Sequence, residues 1–410
     1  MTTSSTVFRP PRDRDAALYL GAVVVSGFGT SSLWLASGVW MKDLTGSDGL
    51  AALCMLAMWA PAAAGPPLGT LADRFRRKPL LVALNLGLAC LLPILFTVDS
   101  PDGVWLLYTV LLVYGAAGVV QDAAGSALVT KAVGAERLGD VNGLRTALTE
   151  GMKLVAPLTG AGLYAALGGP AVVCLDAATF VVAAALCALL RVREERPVRS
   201  GGGWWRESAE GVRHLWGQPG LRALVKAGGT TMLLTSLSST TLYAVVDRLG
   251  RAPAYAGVLY AVQGAGSVTA GLLAGTALRR LGERRFAVAG IALTAFAVAA
   301  RAVPADTVAL AAAAAIGLGL PCVLVATFTA VQRHTPGPLL GRATATAGTL
   351  VLTPSAVGLA VGAGLVELAS PVLLSPLYGL ALLGTAACLA QRADSASRTA
   401  ARSPSDANPA

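Results

Sequence analysis

Charge is what this sequence lacks first. Only 13% of its residues are Asp, Glu, Lys or Arg, about half the share of a soluble domain. A soluble chain of 410 residues could bury a large core but would still need a charged coat to stay dissolved. Lipid is therefore the expected solvent. Histidine is nearly missing: His214 and His334 stand in loops without ligand-type neighbours. The six cysteines (Cys54, Cys90, Cys174, Cys187, Cys322, Cys388) all fall in apolar runs, and none has a partner at metal-ligand spacing. No metal, cofactor or disulfide framework is expected. A Walker A sequence and a nucleophile elbow are both missing, which argues against ATP-driven pumping within the chain and against a membrane enzyme. Alternation of period two with aromatic girdles is missing too, which excludes an outer-membrane barrel.

What is present is apolar and long. Of all residues 55% are hydrophobic, and a spanning helix needs about 20 mainly apolar residues. Twelve such runs lie near 17–40, 49–71, 79–98, 103–127, 142–167, 170–190, 222–246, 254–278, 286–303, 306–330, 344–367 and 371–390. They are rich in Gly and Ala, which let helices approach closely in lipid. The expected fold is an all-α membrane protein of twelve transmembrane helices in two six-helix pseudo-repeats. Its expected parts are an N-terminal tail (1–16), a first half (17–190), a linker (191–221), a second half (222–390) and a disordered tail (391–410). The opening "MTTSSTVFRPPRDRD" is polar and its apolar continuation too long for a cleavable signal peptide, so the first span is expected to act as its own insertion signal.

Of the 32 Lys and Arg, 26 fall on one alternate set of loops and four (Lys42, Arg248, Arg251, Arg301) on the other. The positive-inside rule makes the richer side cytoplasmic, with both termini on it. The net charge of +10 then reflects topology and attraction to anionic lipid, and no nucleic-acid partner is expected. Five Lys against 27 Arg, with abundant Ala and Gly, suggests a high-GC bacterial gene and a bacterial inner membrane. In the linker, Trp205, Val212, Leu215 and Trp216 recur at helical spacing, as in an amphipathic helix on the inner membrane face; a plain soluble linker helix is the alternative.

The densest charge in the chain is "GTLADRFRRKPLL" at 69–81, after the second run, and "GTALRRLGERR" begins at Gly275, after the eighth. The offset of 206 residues is half the chain. Internal repeats of this kind build many secondary transporters, with the substrate site between the halves.

"GTLADRFRRK" resembles motif A of the major facilitator superfamily through Gly69, Leu71, Asp73, Arg74, Arg77 and Lys78, with Arg76 departing from the pattern. "DLTGS" (43–47), "ERLGDVNGLRTAL" (136–148), "LDAATFVVAAAL" (175–186) and "EGVRHLWGQPGLRAL" (210–224) resemble the macrolide-efflux and siderophore-exporter branch of drug:proton antiporters. The resemblance implies that Asp73 sits against the amino end of the eleventh helix, near Arg342, where the helix dipole favours its charge. It implies that Arg77 meets an acid at the end of the fourth span, for which Asp122 is available. Gly69, Asp73, Arg74, Arg77 and Asp122 then form a gate that latches and releases; enforcing topology is the plainer role for the arginines.

Charge inside a span is expensive. Glu150 and Lys153 share a helix face and either neutralise each other or make Glu150 a proton-coupling residue. Asp176 is a possible proton carrier or a structural hydrogen-bonding acid. Arg145 is expected to meet lipid or Asp140. "GMKLVAPLTGAG" loosely resembles the antiporter motif C, with Pro157 kinking the helix and Gly160 and Gly162 packing tightly. Ser31, Trp34 and Gln263, with the "TSLSSTTLY" face, are candidate pocket residues for a neutral or amphipathic substrate, although hydroxyls in spans also bond their own backbone. The expected function is proton-coupled export of small organic molecules by a monomer, with protons, substrate and lipid as partners. An importer of the same fold and a non-transporting membrane protein are the alternatives.

Overall fold

The computed structural model describes residues 14–46, 48–133, 135–192, 204–251, 255–368 and 370–401. Among them the regular structure is helical throughout. The first half contains α1 (Arg14–Thr45), α2 (Asp48–Trp59), α3 (Gly65–Arg74), α4 (Arg77–Leu91), α5 (Val104–Ala132), α6 (Leu138–Leu167) and α7 (Gly169–Ala188). After the linker helix α8 (Trp204–Gly217) come α9 (Pro219–Ser239), α10 (Leu242–Arg248), α11 (Tyr255–Ala300), α12 (Asp306–His334), α13 (Leu340–Leu368) and α14 (Pro371–Ala401). Among the described residues eight helical stretches are long and apolar enough to cross a membrane. Large side chains such as Leu158, Trp105 and Leu368 stand exposed on the outside, as lipid requires and water would penalise. The chain is a multi-pass membrane protein.

Small local signals account for the helix boundaries. Proline opens α9 and α14 and lies in the first turn of α7, where its missing N–H would have no partner anyway. Among the described residues four prolines stand inside helices beyond the first turn, Pro157, Pro321, Pro354 and Pro376. Beside Pro157, Ser32 Oγ of α1 donates to the Ala156 carbonyl at 2.9 Å. The two runs near 254–278 and 286–303 join in the single 46-residue α11, broken at Gly282 with φ +74° and ψ 163°. That conformation is nearly restricted to glycine, so one residue makes the hairpin.

Each half has its own apolar core. The halves meet chiefly at the end carrying the basic loops. There α6 lies along α11 so closely that a methyl group on Gly271 would fall 2.6 Å from both the Ala147 nitrogen and the Gly143 oxygen. Asn142 Nδ2 donates across the seam to Thr329 Oγ1 (2.9 Å) and Gln332 Oε1 (2.7 Å). Farther along, α6 packs back on α1 through Gly160 against the Ser32 backbone, and α13 packs back on α9 through Gly358 and Gly362. The small residues change partner, and the seam ends near mid-helix.

Two expectations about the parts need correction. α14 continues to Ala401, past the boundary placed at 391, because "QRADSASRTAA" carries Ala and Arg and no Gly or Pro to stop a helix; residues 402–410 lie outside the described chain. Gly162 meets nothing within 4 Å, so it makes no tight packing.

Candidate functional site: a double lock between the halves

Motif residue Asp73 stands in the last turn of α3, pointing at the first turn of α13. Its Oδ1 accepts from Gly341 N at 2.8 Å, and its Oδ2 from Arg342 N at 3.0 Å and Arg342 Nε at 3.2 Å. Both side chains are buried, 3% and 7% exposed. The carboxylate thus takes up two of the four N–H groups a helix start leaves unpaired, at the positive end of its dipole. Gly69, one turn earlier, lets the backbones touch: a methyl group there would fall 2.6 Å from Ala345 Cβ and 2.8 Å from Arg342 Cα. The Arg342 guanidinium also reaches Glu210 of α8 at 2.6 Å. α8 is therefore docked on α3 and α13, with Leu215 fully buried and Val212 and Trp216 partly exposed.

The second basic loop forms a matching contact. Gly275 of α11 packs on Asp140 of α6, and Arg279 forms an ion pair with that carboxylate. A methyl group on Gly139 would fall 2.7 Å from Leu278 Cδ2 and 3.6 Å from Gly275 Cα. Thus Gly69 and Asp73 meet "LGR" (340–342), while Gly275 and Arg279, each 206 residues later, meet "LGD" (138–140). Charge is exchanged between the two: the acid stands on the basic loop's helix in the first lock and on the facing helix in the second. Sequence reading saw the loops repeat but missed the facing tripeptides, which repeat at a different offset of 202.

The expected Arg77–Asp122 contact does not form. Arg77, buried, donates from Nη2 to the Gly337 carbonyl at 2.7 Å, because the start of α4 faces the turn before α13. Asp122, 69% exposed, pairs with Arg145 at 2.5 Å. Arg145 therefore pairs with Asp122 and not with Asp140, whose carboxylate is engaged by Arg279. Arg74 is exposed, and Lys78 Nζ donates to the Leu190 carbonyl at 2.7 Å.

Glu150 and Lys153 pair at 2.6 Å within α6. Asp176 of α7 is wholly buried and pairs with no cation among the described residues. Its Oδ2 accepts from Tyr114 Oη at 3.0 Å and its Oδ1 from Thr179 Oγ1 at 3.3 Å, while Thr30 Oγ1 lies 2.7 Å from Tyr114 Oη. Gln263 lines a cavity in the second half with Thr235, Ser236 and Ser239. Ser31 and Trp34, half-buried on α1, are not part of it.

A family model described as Major Facilitator Superfamily matches residues 19–359. The chain belongs to the major facilitator superfamily. Among curated relatives, Macrolide efflux protein A of Streptococcus pyogenes is 25% identical over 260 residues, covering 61% of this chain and 64% of that protein's length. Among solved structures, the human organic anion transporter MFSD10 (TETRAN) superposes with a TM-score of 0.74 at 16% identity, covering 93% of this chain and all of the other. A bacterial homologue of the iron transporter ferroportin, in its outward-facing state, gives 0.72 at 14% identity, covering 92% and 99%. At such identities these two likenesses concern fold alone. A superfamily transporter, rather than an enzyme, is the coarse function.

Proposed function

We propose that this transporter exports small amphipathic organic molecules from a bacterial cell by proton antiport with alternating access. The observation that carries the reading is the double lock, two charge-exchanged contacts closing one end while the small residues of α6 and α13 turn back into their own halves. If the basic end faces the cytoplasm, with both termini there, the locked end is the inward one, as an outward-facing state of such a transporter requires. Twelve crossings follow when α11 is counted twice at Gly282 and when α2–α3, α6 and α9–α10 join the apolar stretches. The name of the streptococcal relative supports efflux over import. We assign the proton to Asp176 before Glu150, because Glu150 already has a cation and Asp176 has only hydroxyls.

Inside-out vesicles with an imposed proton gradient and a panel of fluorescent amphipathic compounds test this. Gradient-driven uptake should collapse with an uncoupler, should be lost in Asp176→Asn and should persist in Glu150→Gln. Uptake indifferent to the gradient would sink the antiport reading, and uptake in right-side-out vesicles alone would make the protein an importer.

A further inference from the structure

Arg301 was placed by sequence among the charges of the outer loops. The structure buries it. It follows the second limb of α11, at the end opposite the double lock, and is 7% exposed. Its Nη1 lies 3.3 Å from both the carbonyl and the hydroxyl oxygen of Ser238 on α9, and donates to them. Its remaining N–H groups have no partner among the described residues, and no carboxylate there lies within ion-pair distance. Asp306, the nearest acid in sequence, is taken by Arg251 at 2.6 Å. A buried guanidinium with only two long contacts to neutral oxygens is poorly compensated for the water it has lost.

Arg301 lines a cavity of about 190 Å³ between α9, α11 and α12. The same cavity receives Ser236, Gln263 and Tyr260, with Met232 and Leu320 supplying apolar wall. The hydroxyl of Ser236 and the amide of Gln263 make no hydrogen bond within the described chain, so both can turn toward a guest. A planar fork of N–H donors, an amide and a hydroxyl converging beside apolar surface suit a carboxylate better than any neutral group. The volume fits one end of an amphipathic molecule rather than the whole of it.

We propose that this cavity binds the carboxylate of the transported molecule, so that the preferred substrates are amphipathic organic acids. The proposal rests on the export reading for the word "transported"; the anion site stands without it. Arg301 acts as the anion-binding residue, with Gln263 and Ser236 orienting the carboxylate. The competing role for Arg301 is to cap the carbonyl end of α9, which would be blind to the charge of any ligand.

Binding to the purified protein in lipid nanodiscs separates the two, using a fluorescent amphipathic carboxylic acid and its methyl ester. Wild type should bind the acid about tenfold or more tightly than the ester, as loss of one partner of a buried charge pair implies. Arg301→Gln should lower acid affinity to that of the ester and leave the ester unchanged. Gln263→Leu, which removes no charge and should leave folding intact, should weaken the acid several-fold and the ester little. Equal binding of acid and ester by wild type, or equal loss of both in the variants, would overturn the site. Arg301-dependent acid binding without proton-driven uptake in vesicles would instead remove the export reading and keep the site.

Discussion

At the scale of single residues the two locks are unequal. Asp73 and Arg342 are almost fully enclosed, and the Asp73 carboxylate also accepts from two backbone N–H groups. Asp140 and Arg279 remain 36% and 43% exposed, where screening leaves an ion pair about 0.2–1 kcal/mol. Asp73→Asn keeps the shape and loses the charge, which should cost about 2 kcal/mol of closure and shift the open-to-closed ratio about thirtyfold. Asp140→Asn should shift it no more than about fivefold. Distances between spin labels on the two halves at the basic end measure both ratios. Equal shifts, or none in Asp73→Asn, would mean that the first lock does not hold the closed state. The exchanged charges add a check: Asp140→Arg with Arg279→Asp together should recover much of what either alone loses.

At the scale of elements, glycine positions decide how closely helices and turns can approach. Gly282 turns α11 back on itself in a conformation that side chains avoid, although space around it is open. Gly282→Ala should therefore destabilise the protein by about 1–3 kcal/mol, seen as a lower melting temperature in detergent, whereas Gly87→Ala, also in open space but helical, should leave it unchanged or higher. The linker helix α8 is more than a tether. A side chain on Gly211 would press on the Arg342 carbonyl at 2.9 Å and on Thr346 Oγ1 at 3.1 Å. Gly211→Leu should lift α8 from α13, free the Glu210–Arg342 pair and raise transport turnover or leak. Unchanged protease protection of the linker in that variant would show that α8 is not held there.

At the scale of the whole molecule, alternating access requires the seam at the basic end to part. With the six native cysteines replaced, Asn142→Cys and Thr329→Cys should cross-link across a contact now spanned at 2.9 Å. Uptake should fall to background and return on reduction. Full transport by the cross-linked protein would show that this seam stays shut through the cycle. Much of this architecture is legible in sequence because hydropathy and arginine placement are local quantities. The 46 residues of α11 read as two runs for that reason, and the loops at Gly69 and Gly275 read as repeats. The site was less legible. The family resemblance paired Arg77 with an acid ending the fourth span, where Asp122 was available, but their helices point them to Gly337 and Arg145. Arg301 looked like a loop charge because burial is not a property of its neighbours in sequence.

Sequence alone therefore determined the solvent, the family resemblance, the run lengths and the two repeated basic loops. Each of these depends on side-chain type and spacing along one strand of chain. Tertiary structure decided which charges meet: Asp73 with Arg342, Asp140 with Arg279, Asp122 with Arg145 and Arg301 with no acid among the described residues. The reason is physical. A guanidinium's partner is set by where helix axes and glycine contacts carry it through space, and residues 139 or 269 positions apart leave no mark on one another that a single sequence displays.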